Sequence, residues 1–325
     1  MRRAALLVLA ALAASAGATR SEDVTLTTRD ATLRGTLLLP DGQGPFPVAL
    51  LVVGSGPEDR DGNSPLLPAK LGYFRALAEA LAARGIATLR YDKIGAGTGV
   101  AAATKFATAN DGRGLFRAEI ASIGGWTQKL RADPRLGEIT VVGHSQGALM
   151  ALLAARTVQP DRVVSLAGQG ADIGTTLERQ LSAQLPPALL ADVRGVLSTI
   201  RATGRAPALP ASLAAVPVLS ALFQGVNGAY LADWIRFDPA TQAERLTAPL
   251  LVVGGGADAQ VTPDEVRRVA GARGGIQLAF VDGMSHVLKQ ATPEPASQAA
   301  AYSNPEVPLA PGLADTLAAF IRSGR

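Results

Sequence analysis

Residues 138–158 read EITVVGHSQGALMALLAARTV and contain the strongest structural signal in the sequence. This stretch begins with a short apolar run typical of a buried strand and ends with a longer apolar run typical of a buried helix. Between them stands Gly-x-Ser-x-Gly, with Ser145 at its centre. A serine on a sharp strand-to-helix turn exposes its hydroxyl above the sheet, and glycines two residues away on either side avoid a clash. We therefore predict that Ser145 is a nucleophile and that Gly143 and Gly147 permit its turn.

The rest of the chain repeats this alternation of short apolar runs and helical stretches. Continuous apolar strands separated by helices indicate a parallel sheet that is covered on both faces. Before them, residues 24–40 alternate apolar and polar side chains around a turn at Arg29 and Asp30, which predicts an antiparallel hairpin. The sequence thus predicts an α/β fold with about eight strands, mostly parallel. The six predicted parallel strands are residues 48–53, 86–91, 138–143, 162–168, 248–255 and 276–283.

Residues 171–240 interrupt this alternation. They contain helical segments broken by prolines and no strand pattern. They fall between the predicted strands 162–168 and 248–255, which are the sixth and seventh when the two hairpin strands are counted. No flexible polar linker flanks them, so a helical cap inserted into one domain is favoured over a separate domain. We predict a single domain over residues 19–325, with the cap above the carboxyl edge of the sheet.

Composition excludes several classes of chemistry. Of the 325 residues, 48% are hydrophobic and 18% are charged, which is enough apolar surface for a full core. Cysteine is absent, and this excludes thiol catalysis, thiolate zinc sites and iron–sulfur clusters. The formal net charge is +4, and no basic run is interleaved with aromatic residues. Nucleic acid is therefore not an expected partner.

The first residues, 1–18, have the pattern of a secretory signal peptide. Arg2 and Arg3 precede a short apolar run, and small residues follow it. The run is too short for a comfortable membrane span, so no stable membrane anchor is expected after its removal. We predict cleavage near Ala16 or Ala18 and export to the periplasm or the medium.

The chain has only two histidines, and a serine nucleophile needs a neighbouring base. His144 adjoins Ser145 on the tight turn, where successive side chains diverge. His286 follows the last predicted strand in FVDGMSH and is the predicted base. Asp258 follows the preceding strand in GGGADA and is the predicted acid that orients it. Asp282 competes for that role, although it more simply initiates the turn before His286.

These segments resemble the α/β-hydrolase superfamily over nearly all of the predicted mature chain. The closer resemblance is to bacterial exported esterase-like members, which carry GSGPxDRDG after the third strand and GHSQG at the nucleophile. This chain has GSGPEDRDG from Gly54 and GHSQG from Gly143. It departs from that group after the fourth strand, where YDKIGAGTG has Ile94 and Gly99 in place of the usual arginine and serine.

The resemblance implies an oxyanion hole made of two backbone N–H groups. In α/β-hydrolases one comes from the loop after the third strand and the other from the residue after the nucleophile. We expect them here on Ser55 and Gln146. Gly54 and Gly56 would let the backbone approach the substrate closely. We also expect Arg60 to pair within the loop or with a nearby carboxylate, and so to fix the direction of the Ser55 donor.

The expected function is hydrolysis of small to medium carboxylic esters, because the cap is apolar. Peptidase, amidase or thioesterase activity would use the same residues and stays open. A nicotinamide-binding protein rests only on GGGADA at 254–259, where Asp258 would repel a pyrophosphate. A non-catalytic binding protein is the other remote alternative. Glu58, Asp59 and Asp61 lack a recognised metal-ligand spacing, and we expect neither a metal nor another cofactor.

Overall fold

The computed structural model describes residues 19–29, 31–110 and 113–323. The predicted signal peptide, residues 1–18, lies outside the described residues, as does Asp30 of the predicted hairpin turn. Export therefore stays a prediction. Within the described part of the chain, no helix is both long enough and apolar enough to cross a membrane.

Among the described residues, eight strands form one sheet. They are β1 (Arg20–Thr27), β2 (Thr32–Leu39), β3 (Phe46–Val52), β4 (Ala87–Tyr91), β5 (Leu136–His144), β6 (Arg162–Leu166), β7 (Leu250–Gly255) and β8 (Gln277–Val281). Their order across the sheet is β1-β2-β4-β3-β5-β6-β7-β8. The pairs β1–β2 and β2–β4 are antiparallel, and every other neighbouring pair is parallel. The predicted α/β fold, with an antiparallel hairpin leading into a mostly parallel sheet, is confirmed.

Helices cover both faces of the sheet. Outside the segment between β6 and β7 they are α1 (Tyr73–Ala82), α2 (Val100–Asn110), α3 (Leu115–Arg131), α4 (Gln146–Val158), α11 (Pro263–Ala270), α12 (Pro295–Ser303) and α13 (Leu313–Arg322). On β3, Val48 and Leu50 pack in one core with α3 and α4, whereas Ala49 and Leu51 pack in a second core with α1 and α13. All four side chains are fully buried. Burial on both faces explains why the central strands are continuous apolar runs.

The two edge strands differ most from the sequence prediction. β1 begins at Arg20, four residues before the predicted hairpin, because it pairs with β2 over its whole length, from Arg20 opposite Leu39 to Thr27 opposite Thr32. Its side chains are at most half-buried, so its first residues carry no strong apolar signal. β8 is the opposite edge, and Leu278 there is 43% exposed. The predicted burial on both faces is therefore wrong for β8.

The segment between β6 and β7 contains six helices and no strand among the described residues. They are α5 (Ile173–Ser182), α6 (Pro187–Thr203), α7 (Ala211–Ala214), α8 (Pro217–Phe223), α9 (Gly225–Trp234) and α10 (Pro239–Glu244). Three of them begin with a proline, which is favourable at the first helical position because that N–H has no partner in the helix. The segment packs onto α3, where the ring of Phe116 lies 5.4 Å from that of Tyr230.

Candidate active site

Ser145 stands where β5 ends and α4 begins, with φ 54° and ψ −119°. A positive φ is costly for a residue with a Cβ atom, and such strain persists where the surrounding structure fixes it. A Cβ on Gly143 would overlap the Gly147 carbonyl, and a Cβ on Gly147 would overlap the carbonyls of Val52 and Val53. Both glycines are therefore required for β3, β5 and α4 to meet this closely at the serine.

Three side chains from distant parts of the chain meet beyond the carboxyl ends of β5, β7 and β8. The Ser145 hydroxyl oxygen lies 3.0 Å from Nε2 of His286, and Nδ1 of His286 lies 2.9 Å from Oδ2 of Asp258. An ionised carboxylate only accepts hydrogen bonds, so Nδ1 carries the proton and Nε2 is left to take the proton of the serine. The other Asp258 oxygen accepts the backbone N–H groups of Gln260 and Val261, at 2.8 and 2.9 Å.

Mutual attraction sets the protonation states of this pair. Burial opposes a charge on His286, but the attraction and hydrogen bond of Asp258 outweigh it and raise the His286 pKa above its ordinary value. Burial likewise opposes the Asp258 charge, yet the attraction of His286 and the hydrogen bonds to the carboxylate lower the Asp258 pKa. His286 is thus a stronger base than free imidazole. The competing acid, Asp282, is exposed, and no hydrogen bond joins it to His286 among the described residues.

The second histidine supports the first. Nε2 of His144 lies 2.7 Å from the backbone oxygen of His286, and the two ring centres are 5.0 Å apart. Burial, together with repulsion from the His286 charge, lowers the pKa of His144 to about 3. The ring is therefore neutral, and its Nε2–H donates to the His286 carbonyl. Sequence reasoning excluded His144 as the base but did not reveal this supporting contact.

The loop after β3 lies directly against the nucleophile. A Cβ placed on Gly54 would be 3.2 Å from the Cβ of Ser145. Within the described chain, neither the Ser55 N–H nor the Gln146 N–H has a protein acceptor. Gln146 is the first residue of α4, where N–H groups have no acceptor in the helix. Gly56 has φ 78°, a conformation that favours glycine. Both predicted donors thus lack a protein acceptor among the described residues, and their role as an oxyanion hole stays a prediction.

Arg60 pairs with Asp92, which follows β4. Its guanidinium donates to both carboxylate oxygens, at 3.1 and 2.9 Å, and its backbone N–H donates to the same group at 2.9 Å. Burial opposes the Asp92 charge, but these bonds and those from Thr98 lower the Asp92 pKa to about 2. Arg60 therefore fastens the loop after β3 to the loop after β4. The partner is a carboxylate outside the charged run, residues Glu58 to Asp61, and this is the second of the two expected possibilities.

The two aspartates of the charged run are also held by protein donors. Asp59 accepts the backbone N–H groups of Asp61 and Asn63, each at 2.9 Å. Asp61 accepts Nε of Arg90 at 2.7 Å. In the described ranges, no group of three or more histidine, aspartate or glutamate side chains is placed to hold a metal ion. Asp59 thus stabilises its own loop, whereas Asp61 joins that loop to β4.

The two departures from the esterase-like pattern have structural reasons. Ile94 is buried in the hydrophobic core, where a charged side chain is costly unless it is paired. A Cβ on Gly99 would overlap the Lys93 carbonyl, so a serine does not fit that position here. The Thr98 hydroxyl donates to Asp92 at 2.7 Å. The loop after β4 therefore has a hydroxyl donor to Asp92 at Thr98, one residue before Gly99.

Replacing Arg60 by alanine is expected to lower the free energy of unfolding by about 2–3 kcal/mol at neutral pH, because Asp92 keeps its charge with fewer partners. Asp92 has an unfolded pKa near 3.8 and a folded pKa of about 2, so its contribution is present above pH 3.8 and is lost as the pH falls through 2. We also expect a lower kcat with a smaller change in KM, because the loop carries Ser55. Denaturant titrations across pH and ester kinetics measure both effects.

The control for Arg60 is Arg75→Ala, which removes an exposed arginine with no ion pair among the described residues. That variant should match the wild type in both stability and turnover. Equal behaviour of the Arg60 and Arg75 variants would show that the Arg60–Asp92 pair does not brace the loop.

Comparison with known proteins assigns the chain to a family. A model described as the alpha/beta hydrolase family matches residues 50–296, which include the Ser145 turn and both of its partners. That range is well over half of the chain. This protein therefore belongs to the alpha/beta hydrolase family.

Individual relatives agree with this assignment. Esterase EstD of Thermotoga maritima is 28% identical over 262 residues, which cover 79% of this chain and 58% of the esterase. The chain thus spans just over half the length of that relative. The structure of Est1E from Butyrivibrio proteoclasticus with bound ferulic acid is similar to this one. The similarity covers 92% of this chain and 96% of the Est1E chain, with a TM-score of 0.56 and 16% sequence identity. A Pyrococcus furiosus esterase matches 83% of each chain, with a TM-score of 0.52 and 18% identity. At these identities, the two structures show the shared fold alone.

Proposed function

We propose that this protein is a serine hydrolase that cleaves carboxylic esters of small to medium size through an acyl-enzyme on Ser145. The observation that carries the proposal is the hydrogen-bonded chain from Ser145 through His286 to Asp258. Family membership and the similarity to a protein named as an esterase support the same activity. The size range rests on the apolar composition of the cap helices.

In the first half-reaction, the Ser145 oxygen attacks the ester carbonyl carbon while its proton moves to Nε2 of His286. The carbonyl electrons move onto the oxygen, and the N–H groups of Ser55 and Gln146 bind the resulting oxyanion. The electrons return, the bond to the alcohol oxygen breaks, and the leaving alcohol takes the proton from Nε2. Throughout, Asp258 stabilises the positive charge that His286 carries.

In the second half-reaction, water takes the place of the alcohol. It gives a proton to Nε2 of His286 and attacks the acyl carbon, and the same two N–H groups bind the new oxyanion. When this intermediate collapses, the Ser145 oxygen leaves with the proton from Nε2. The carboxylic acid is released, and the enzyme returns to its starting protonation state.

The proposed specificity is tested with matched acyl donors. We expect p-nitrophenyl esters from acetate to decanoate to show the highest kcat/KM at short and medium acyl length. The thioester and anilide of the best acyl group should be poorer substrates, and protein pretreated with a serine-directed phosphonate should be inactive. A faster anilide would assign an amidase, and a faster thioester would assign a thioesterase. No turnover of any donor would contradict a hydrolase.

A further inference from the structure

The peptide unit between Gly54 and Ser55 is anchored from its far side. Nζ of Lys93 donates to the Gly54 oxygen at 2.6 Å, and the Lys93 residue is only 7% exposed. In a planar trans peptide the C=O and the following N–H point in opposite directions. The Gly54 oxygen and the Ser55 N–H belong to the same peptide. A bond that fixes the direction of the oxygen therefore fixes the direction of the N–H.

A second side chain holds the preceding peptide. Oε2 of Glu58 accepts the Gly54 N–H at 3.1 Å, while Oε1 accepts the hydroxyl of the fully buried Tyr73 at 2.8 Å. Enclosure by the protein raises the pKa of Glu58, and the attraction of Lys93 opposes that rise. Both backbone polar groups of Gly54 are thus bound by side chains. The glycine, which has the freest backbone of any residue, is held in one conformation.

The setting of Lys93 differs from that of an ordinary buried lysine. Buried lysines are usually paired with a carboxylate, because an unpaired buried charge is costly. Among the described residues, Lys93 forms no salt bridge, and its only hydrogen-bond acceptor is the Gly54 carbonyl. Its charge opposes the rise in the pKa of Glu58 and of the buried Glu119, yet neither carboxylate forms a salt bridge with Lys93. The ammonium therefore donates its hydrogen bond to the peptide group that carries the Ser55 N–H.

We propose that Lys93 and Glu58 are positioning residues for the oxyanion hole, a role that rests on the proposed ester hydrolase function. Lys93 aims the Ser55 N–H and draws electron density toward the Gly54 oxygen, which makes that N–H a stronger donor. Glu58 holds the other side of Gly54 and balances the Lys93 charge. Neither side chain needs to touch the substrate. Their effect grows as the negative charge develops in the transition state.

The test is Lys93→Met, which keeps an unbranched side chain and removes the ammonium. We expect kcat for a p-nitrophenyl ester to fall about 10- to 100-fold, below the loss seen when an oxyanion donor is removed outright, with KM changed less than about threefold. An alkyl trifluoromethyl ketone adds to the serine as an anionic hemiketal. Its affinity should weaken by the same factor as kcat. A ground-state analogue, the matching methyl ketone, should bind as it does to the wild type.

The control is Arg162→Met. Arg162 is another buried cation, at the amino end of β6, and it donates to the backbone carbonyl of Ser323. This variant should lose stability but keep kcat per folded molecule. If Lys93→Met does not fold, the double variant Glu58→Gln/Lys93→Met removes both charges and keeps an oxygen for the Gly54 N–H. The double variant should then show the same loss in kcat and in fluoroketone affinity.

The outcomes separate this role from the proposed function. A wild type that hydrolyses esters, beside a folded Lys93 variant with unchanged kcat and fluoroketone affinity, would overturn the positioning role alone. A loss of fluoroketone and methyl ketone affinity by equal factors would also overturn it, because the effect would then be a general distortion. A wild type that hydrolyses no ester and binds no fluoroketone would overturn the function and, with it, this role.

Discussion

Replacing Ser145 by alanine is expected to lower kcat for ester hydrolysis by at least about 10⁴-fold. The hydroxyl is the only group that the structure brings to Nε2 of His286 among the described residues, at 3.0 Å. Without it, no acyl-enzyme forms, and only slow direct attack by water remains. The thermal midpoint should stay close to that of the wild type, because alanine and serine meet the same backbone strain at φ 54°. Initial rates with a p-nitrophenyl ester and thermal unfolding measure the two effects.

The matched control for Ser145 is Ser165→Ala. Ser165 is a buried serine on the neighbouring strand β6, and no hydrogen bond joins it to His286 among the described residues. This variant should keep kcat within a few-fold of the wild type. Activity retained in Ser145→Ala would show that Ser145 is not the nucleophile, and equal losses in both variants would point to general damage of the sheet edge.

Asp258→Asn is expected to lower kcat by about 10³- to 10⁴-fold while leaving the fold intact. Oδ1 of Asp258 accepts the N–H groups of Gln260 and Val261, so the amide oxygen of the asparagine should take that place. Its NH₂ group would then face Nδ1 of His286 and donate to it. The imidazole proton would move to Nε2, and the ring could no longer accept the proton of Ser145.

The same variant should change the pH dependence of the residual activity. The base must be neutral to act, so kcat/KM rises with pH through the His286 pKa. Asp258 raises that pKa, and therefore the wild-type rise should be centred above the ordinary value of about 6.5. With the charge removed, burial dominates, and the rise should move to lower pH. Asp282→Asn removes an exposed acid near His286 and should alter neither kcat nor the pH profile. A loss in Asp282→Asn comparable with that in Asp258→Asn would reassign the acid.

The sequence predicted the fold best where burial of a strand on both faces requires a continuous run of apolar residues. β3 and β5 are buried on both faces and appear as continuous apolar runs, whereas β1 and β8 are edge strands with exposed positions. For that reason the start of β1 at Arg20 was missed. α4 begins at Gln146, because the Ser145 turn passes directly into the helix.

The site was predictable only in part. Ser145, Asp258 and His286 are marked by a local motif, by the scarcity of histidine and by their places after predicted strands. The supporting contacts around these three residues are not marked by any local sequence motif. Lys93 reads as a polar strand end, and only the parallel pairing of β3 with β4 brings it to Gly54. His144 and the His286 carbonyl are likewise 142 residues apart. Contacts between loops of neighbouring strands depend on register, which no single segment reveals.

Ser145 is proposed to form the covalent intermediate. The most direct measurement is peptide mass spectrometry of the protein after reaction with a fluorophosphonate, with intact mass giving the stoichiometry. We expect one adduct per chain, located on Ser145, that forms in parallel with the loss of ester turnover and is absent from His286→Ala. No adduct, or an adduct on another residue that accompanies full inactivation, would show that Ser145 is not the nucleophile.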